Sequence, residues 1–128
     1  MGSLGSFSLD LSKFATKAMG NMDKVVKKVC FDIGSDIQKA TPRDTGRAAA
    51  GWQWQTGSIS AYKPGPGSYN APAPMIPGFT LGDTLYLANN VEYIKVLEDG
   101  WSRQAPAGMV KVTLTRWQNY VALAVASL

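Results

Sequence analysis

Residues 21–42, NMDKVVKKVCFDIGSDIQKATP, decide how this chain folds. Met22, Val25, Val26, Val29, Ile33 and Ile37 recur at steps of three and four, the spacing of one apolar face on a helix. Leu11, Phe14 and Ala18 extend the same stripe backwards, so residues 8 to 40 read as helical. The opposite face carries Lys13, Lys17, Lys24, Lys27, Lys28, Asp32 and Asp36, with Lys28 and Asp32 spaced to pair. An unbroken helix over that span, at about 1.5 Å per residue, exceeds what a small core covers. Gly20 is the natural break, giving a short leading helix and a longer one over 21–39. Thr41-Pro42 ends it, because the residue before a proline avoids helical backbone.

Beyond that proline, Arg43-Asp44-Thr45-Gly46-Arg47 reads as a turn, followed by the small-residue run Ala48-Ala49-Ala50-Gly51. Trp52, Trp54 and Thr56 alternate with Gln53 and Gln55, which predicts a strand with one buried face, continuing weakly through Ile59 to Tyr62. Residues 63–79 hold five of the seven prolines and form neither a helix nor a central strand. This segment is either a surface excursion on its own domain or an arm lying on a neighbouring subunit. Tyr69, Met75, Ile76 and Phe79 are its apolar anchors and its candidate subunit-interface residues.

Leu81, Asp83, Leu85 and Leu87 share one parity, so Thr80 to Asn89 reads as a second strand. Tyr93 to Leu97 is a short helical piece stopped at Asp99-Gly100. From Gly108 onward the apolar spacing supports a C-terminal helix, although Val110 to Thr115 also alternates like a strand. The expected fold is a single α+β domain over 1–128, with 1–7 flexible. Its small antiparallel sheet, from about 50–62 and 80–90, is packed by the long N-terminal helix and the C-terminal helix.

Composition narrows the chemistry. The chain has 128 residues, a net charge of +4, one cysteine and no histidine. Without histidine there is no Ser-His-Asp or Cys-His nucleophile and no ordinary zinc set. Cys30 falls on the apolar face of the helix and reads as an inert core thiol. No apolar run is long enough for a membrane span, and the N-terminus lacks the basic start and apolar run of a secretory signal. These features predict a non-enzymatic protein with no metal and no cofactor.

Asp44-Thr45-Gly46 is the triplet of aspartic proteases, whose chemistry needs two aspartates sharing one proton. Here arginines flank the triplet and would hold its carboxylate ionised. The bland reading is a cap or turn with a permissive glycine. Lys63 to Ser68 lacks the Gly-Lys-Ser/Thr ending and following helix of a phosphate loop. Asp83, Glu92, Glu98 and Asp99 have no metal-site spacing. Lys17, Lys24 and Lys28 share a helix face, a modest basic stripe that serves a partner or a DNA-containing lumen, or is simply solvated.

Three separated segments then carry a resemblance. They are Thr41-Pro42-Arg43-Asp44-Thr45-Gly46-Arg47 with Trp52; Asn90-Val91-Glu92-Tyr93 leading to Leu97-Glu98-Asp99-Gly100; and Ser102-Arg103-Gln104-Ala105-Pro106-Ala107-Gly108-Met109. In this order and spacing the chain resembles the lambdoid-type tail-component family of tailed bacteriophages, the neck or tail-completion proteins, over roughly residues 25 to 125. Ala48 stands where that pattern has an aliphatic residue, and Gly51 where it has serine. The resemblance implies a structural virion protein. Its role would be a ring, six-fold, at the head–tail junction, meeting connector or head-closure proteins on one side and tail-tube or terminator proteins on the other. DNA would pass through the lumen, and assembly would take place in the host cytoplasm. The family-motif residues carried over are Asp44, Thr45, Gly46, Arg47, Trp52, Tyr93, Leu97, Glu98, Gly100, Gln104 and Pro106. Tyr93, Leu97 and Trp101 are expected to fix the local fold. The competing expectation is a small basic binding module associated with nucleic acid.

Overall fold

The structure, a computed structural model, describes residues 6–10 as backbone and 21–128 with their side chains. Among these, a strand β1 (Ser6–Asp10) precedes the long helix α1 (Met22–Ala40) and a single turn of helix α2 (Arg47–Ala50). Strands β2 (Gln53–Thr56) and β3 (Thr84–Ala88) follow, then the short helices α3 (Ile94–Glu98) and α4 (Val110–Leu114) and finally α5 (Trp117–Ala126).

α1 begins and ends where its sequence dictates. Asp23 in its first turn and Lys39 in its last suit the helix dipole. At the C-terminal end the Thr41 amide bonds to the Ile37 and Gln38 carbonyls, and the Thr41 hydroxyl donates to Ile37 at 2.7 Å. Met22, Val25, Val26, Val29, Cys30, Ile33 and Ile37 are all buried, so the apolar stripe is the core face. Leu11, Phe14 and Ala18, the stripe's leading members, lie outside the described residues. Burial of Cys30 pushes its thiol up to about 12, consistent with an inert core residue.

The sheet has strand order β1-β3-β2, antiparallel throughout. Trp54 stands opposite Leu87 and Thr56 opposite Leu85, while Phe7 and Leu9 of β1 face the same two leucines across the ladder. Leu85, Leu87 and Trp54 are buried against α1 and join Ile94, Met109, Tyr120 and Ala124 in one core. Gly34 makes this contact possible: a Cβ there would sit 2.7 Å from the Trp54 indole nitrogen.

Four expectations need correction. Residues 8–10 are strand, not helix, and belong to β1, which begins at Ser6. Ser6-Phe7-Ser8-Leu9-Asp10 alternates with period two, and β3 supplies its hydrogen bonds. The strand after Trp52 stops at Thr56: Gly57 has φ +80°, and the Gln53 and Gln55 side chains bond back to the backbone of Tyr62 and Ser60. The strand before Asn89 starts only at Thr84, because the Asp83 carboxylate folds Thr80 to Asp83 into a turn through the Thr80 amide and hydroxyl. The C-terminal helix is broken at 115–116. Val112, Thr113 and Thr115 are poor helix formers, and the Thr115 hydroxyl donates to the Val112 carbonyl at 2.6 Å.

The proline-rich segment has no regular structure and is laid along its own domain. The Arg47 Nε donates to the Pro64 carbonyl at 2.8 Å, the Tyr69 amide to Thr45 at 2.6 Å, and the Gln38 side chain to Pro72 at 2.7 Å. Ile76 and Phe79 pack on the core, and Tyr69 is half-buried with its hydroxyl on the Gly65 carbonyl. Of the four expected interface residues, only Met75, 85% exposed, is turned to solvent. The segment lies as an excursion on its own domain, one of the two readings its sequence leaves open.

Candidate functional site

Of the segments that carry the family resemblance, 90–100 and 102–109 adjoin in sequence, and 41–52, which lies well before them, meets them at the C-terminal end of α1. Pro42 stops that helix and releases Arg43 to Arg47 as a turn. Gln104, 61 residues away, accepts the Arg43 amide on its side-chain oxygen at 2.9 Å and donates its own amide to the Arg43 carbonyl at 3.2 Å. This reciprocal pair welds the turn to the Ser102–Met109 segment. Trp52 closes the turn from beneath, donating its indole N–H to the Thr41 hydroxyl at 2.8 Å.

Gly46 then reverses the chain with φ +83°, and a Cβ there would collide with the Tyr69 carbonyl, so only glycine fits. The Thr45 hydroxyl accepts the Arg47 amide at 3.3 Å as α2 begins. The Arg47 guanidinium makes a two-pronged pair with Glu92, at 2.8 and 3.2 Å, and lies 5.9 Å from the Tyr93 ring centre. Lys63 reaches the same carboxylate at 2.7 Å. Hydrogen bonds from Arg47 first, and from Lys63 next, hold the Glu92 carboxyl well below the usual carboxylate range. Asn89 ties α2 to the end of β3: its amide donates to the Ala48 carbonyl at 2.7 Å, and its oxygen accepts the Val91 amide.

Glu98 is the buried centre of the third junction. One of its oxygens accepts the Met109 and Val110 amides at 2.8 and 2.9 Å, the other the Lys111 amide at 3.0 Å. A carboxylate here satisfies the free amides at the start of α4 and fixes where the last segment returns. Leu97 packs against the core, and Gly100 ends α3 in the left-handed region against the Pro106 carbonyl.

These elements enclose a surface cleft of about 520 Å³, whose walls include Arg43, Asp44, Arg47, Tyr93, Leu97 and Gln104. Asp44 is exposed at this cleft. Asp83, Glu92 and Glu98 each have separate structural partners. Among the described residues no group of three or more histidine, cysteine, aspartate or glutamate side chains is placed to hold a metal ion. Nor is any described helix long and apolar enough to cross a membrane.

Trp101 departs from its expected role in fixing the fold, since its side chain is 79% exposed. Lys24 and Lys28 are exposed on α1, with Lys28 paired to Asp32 at 3.1 Å, and Lys17 lies outside the described residues. Sequence reading missed Asn89, the Lys63–Glu92 contact and the capping role of Glu98. The one advance signal for Glu98 was an acid just before a helix stop. No family model matches the chain, and neither a curated protein nor a solved structure does.

Proposed function

We propose that this chain is a non-enzymatic structural subunit of a tailed bacteriophage, forming a six-fold ring in the neck or tail-completion layer that joins tail to head connector. The observation that carries the reading is the convergence at the end of α1. The segments resembling the tail-component family form one mutually bonded unit, through Arg43–Gln104, Arg47–Glu92 and Glu98 with the start of α4.

A second feature supports a subunit over a free monomer. Trp101, Leu123, Val125 and Leu128 are all about half exposed or more, and no charged side chain occurs from Trp117 to Leu128. A closed ring needs two different complementary patches on each copy, and exposed apolar surface of this kind marks such contacts. Trp101 and the outer side of α5 are the patches this reading favours.

Disrupting the gene in the parent phage tests the reading. The expected result is complete, DNA-filled heads and complete tails that stay unjoined, rescued by supplying the chain in trans. Normal yields of joined, infectious particles without it refute the assignment.

A further inference from the structure

The outward ridge of α1 is unlike the rest of the surface. Phe31 lies nearly opposite the buried stripe and is 51% exposed. Lys24, Lys27 and Lys28 precede it by seven, four and three residues, which places all three beside it on the same side of the helix. All three are exposed. The nearest acids along the helix, Asp23 and Asp32, fall roughly a quarter-turn round to either side. Asp32 pairs with Lys28, while Lys24 and Lys27 have no ion-pair partner among the described residues.

An aromatic ring set among cations suits one ligand chemistry in particular. Phosphates neutralise the lysines, and an unpaired base offers a flat face to the ring. We propose that this ridge binds single-stranded nucleic acid without sequence preference, with phosphates on Lys24, Lys27 and Lys28 and one base stacked on Phe31. Duplex DNA engages the lysines but not the ring, because its bases are already stacked. An acidic protein surface likewise uses the lysines and leaves the ring in water. The inference does not rest on the assembly reading and stands or falls separately from it.

Fluorescence anisotropy of a labelled 20-nucleotide oligothymidylate with the full chain tests it. Phe31→Ala should weaken binding about tenfold, the size of one lost base stack, while leaving the salt dependence unchanged. Phe31→Tyr should keep the affinity. The triple variant Lys24→Gln, Lys27→Gln, Lys28→Gln should flatten the slope of log affinity against log salt by about 2, since each single-strand phosphate contact contributes about 0.7. A mixed-sequence 20-base-pair duplex should be indifferent to Phe31→Ala. The proposal is overturned by an absence of binding, by single-strand binding that Phe31→Ala leaves intact, or by a polyglutamate peptide held as tightly as the oligonucleotide. All these side chains are exposed, and equal melting temperatures across the variants separate a lost site from a lost fold.

Discussion

Glu98 and α5 treat their surroundings in opposite ways. The Glu98 carboxylate is 2% exposed, yet its oxygens meet three backbone amides of its own chain. α5 leaves Leu123 60% exposed, and no charged residue occurs along the helix. In the first region a costly group is buried and every demand it makes is met internally. In the second, apolar surface is displayed that the other described residues do not cover. The contrast separates residues that make the fold from residues we propose meet a neighbour. Substitutions in the two regions should therefore move different observables.

The largest effect is expected at Glu98. Glu98→Ala removes three charge-assisted hydrogen bonds and strands buried amides at the start of α4, a loss of about 3 kcal/mol or more in urea unfolding. A cost under about 1 kcal/mol would mean that α4 does not depend on that carboxylate. Thr113 in the same helix offers the opposite sign. Its hydroxyl is buried without a partner, so Thr113→Val should raise stability by about 1 kcal/mol.

Glu92 gives a smaller effect that depends on pH. Its carboxyl is held low in the folded state by Arg47 and Lys63, so its contribution is fully present above the unfolded value of about 4.3 and is lost as pH falls through the folded one. The stability gap between the native chain and Glu92→Gln should be widest near neutral pH and close in acid. Because Glu92 is exposed, about 1 M salt should narrow the gap as well. A gap that widened in acid would reverse the assignment of the charged partner.

At the far end of the series, Trp101→Ser should change stability by no more than about 0.5 kcal/mol, as expected for an exposed side chain. The same substitution should abolish higher-order assembly, read as the mass distribution in sedimentation. A destabilised monomer would place Trp101 with the fold-making residues instead.

How far these roles were legible in the sequence follows from the range of the interactions. α1 was legible because its stripe repeats locally over five turns, and Thr41-Pro42 marks its end with a steric rule. Gly100 as the stop of α3 is similarly local. β1 was not legible as a strand, because its two-residue period runs directly into the helical stripe, and its partner β3 lies far along the chain, with Phe7 opposite Leu87 and Leu9 opposite Leu85. The break at Thr115 turns on one hydroxyl finding the carbonyl three residues back, a choice that propensity alone does not decide.

The site divides along the same line. Three segments could be picked out as belonging together, and the permissive role of Gly46 could be read in place. Which atoms join those segments could not be read, since the Arg43–Gln104 bonds span 61 residues. The proline-rich segment shows the limit most clearly. Its composition says stiff and extended, but only the three-dimensional arrangement of Thr45, Arg47 and Gln38 shows that it straps its own domain.

A neck subunit, as we propose this chain to be, sits in the virion at the junction of head and tail. Gold-labelled antibody against an epitope tag on the chain, applied to purified particles and imaged by electron microscopy, tests it most directly. Label is expected at the neck of joined particles and on one end of detached tails or heads. Label absent from particles whose other structural proteins are intact would contradict it.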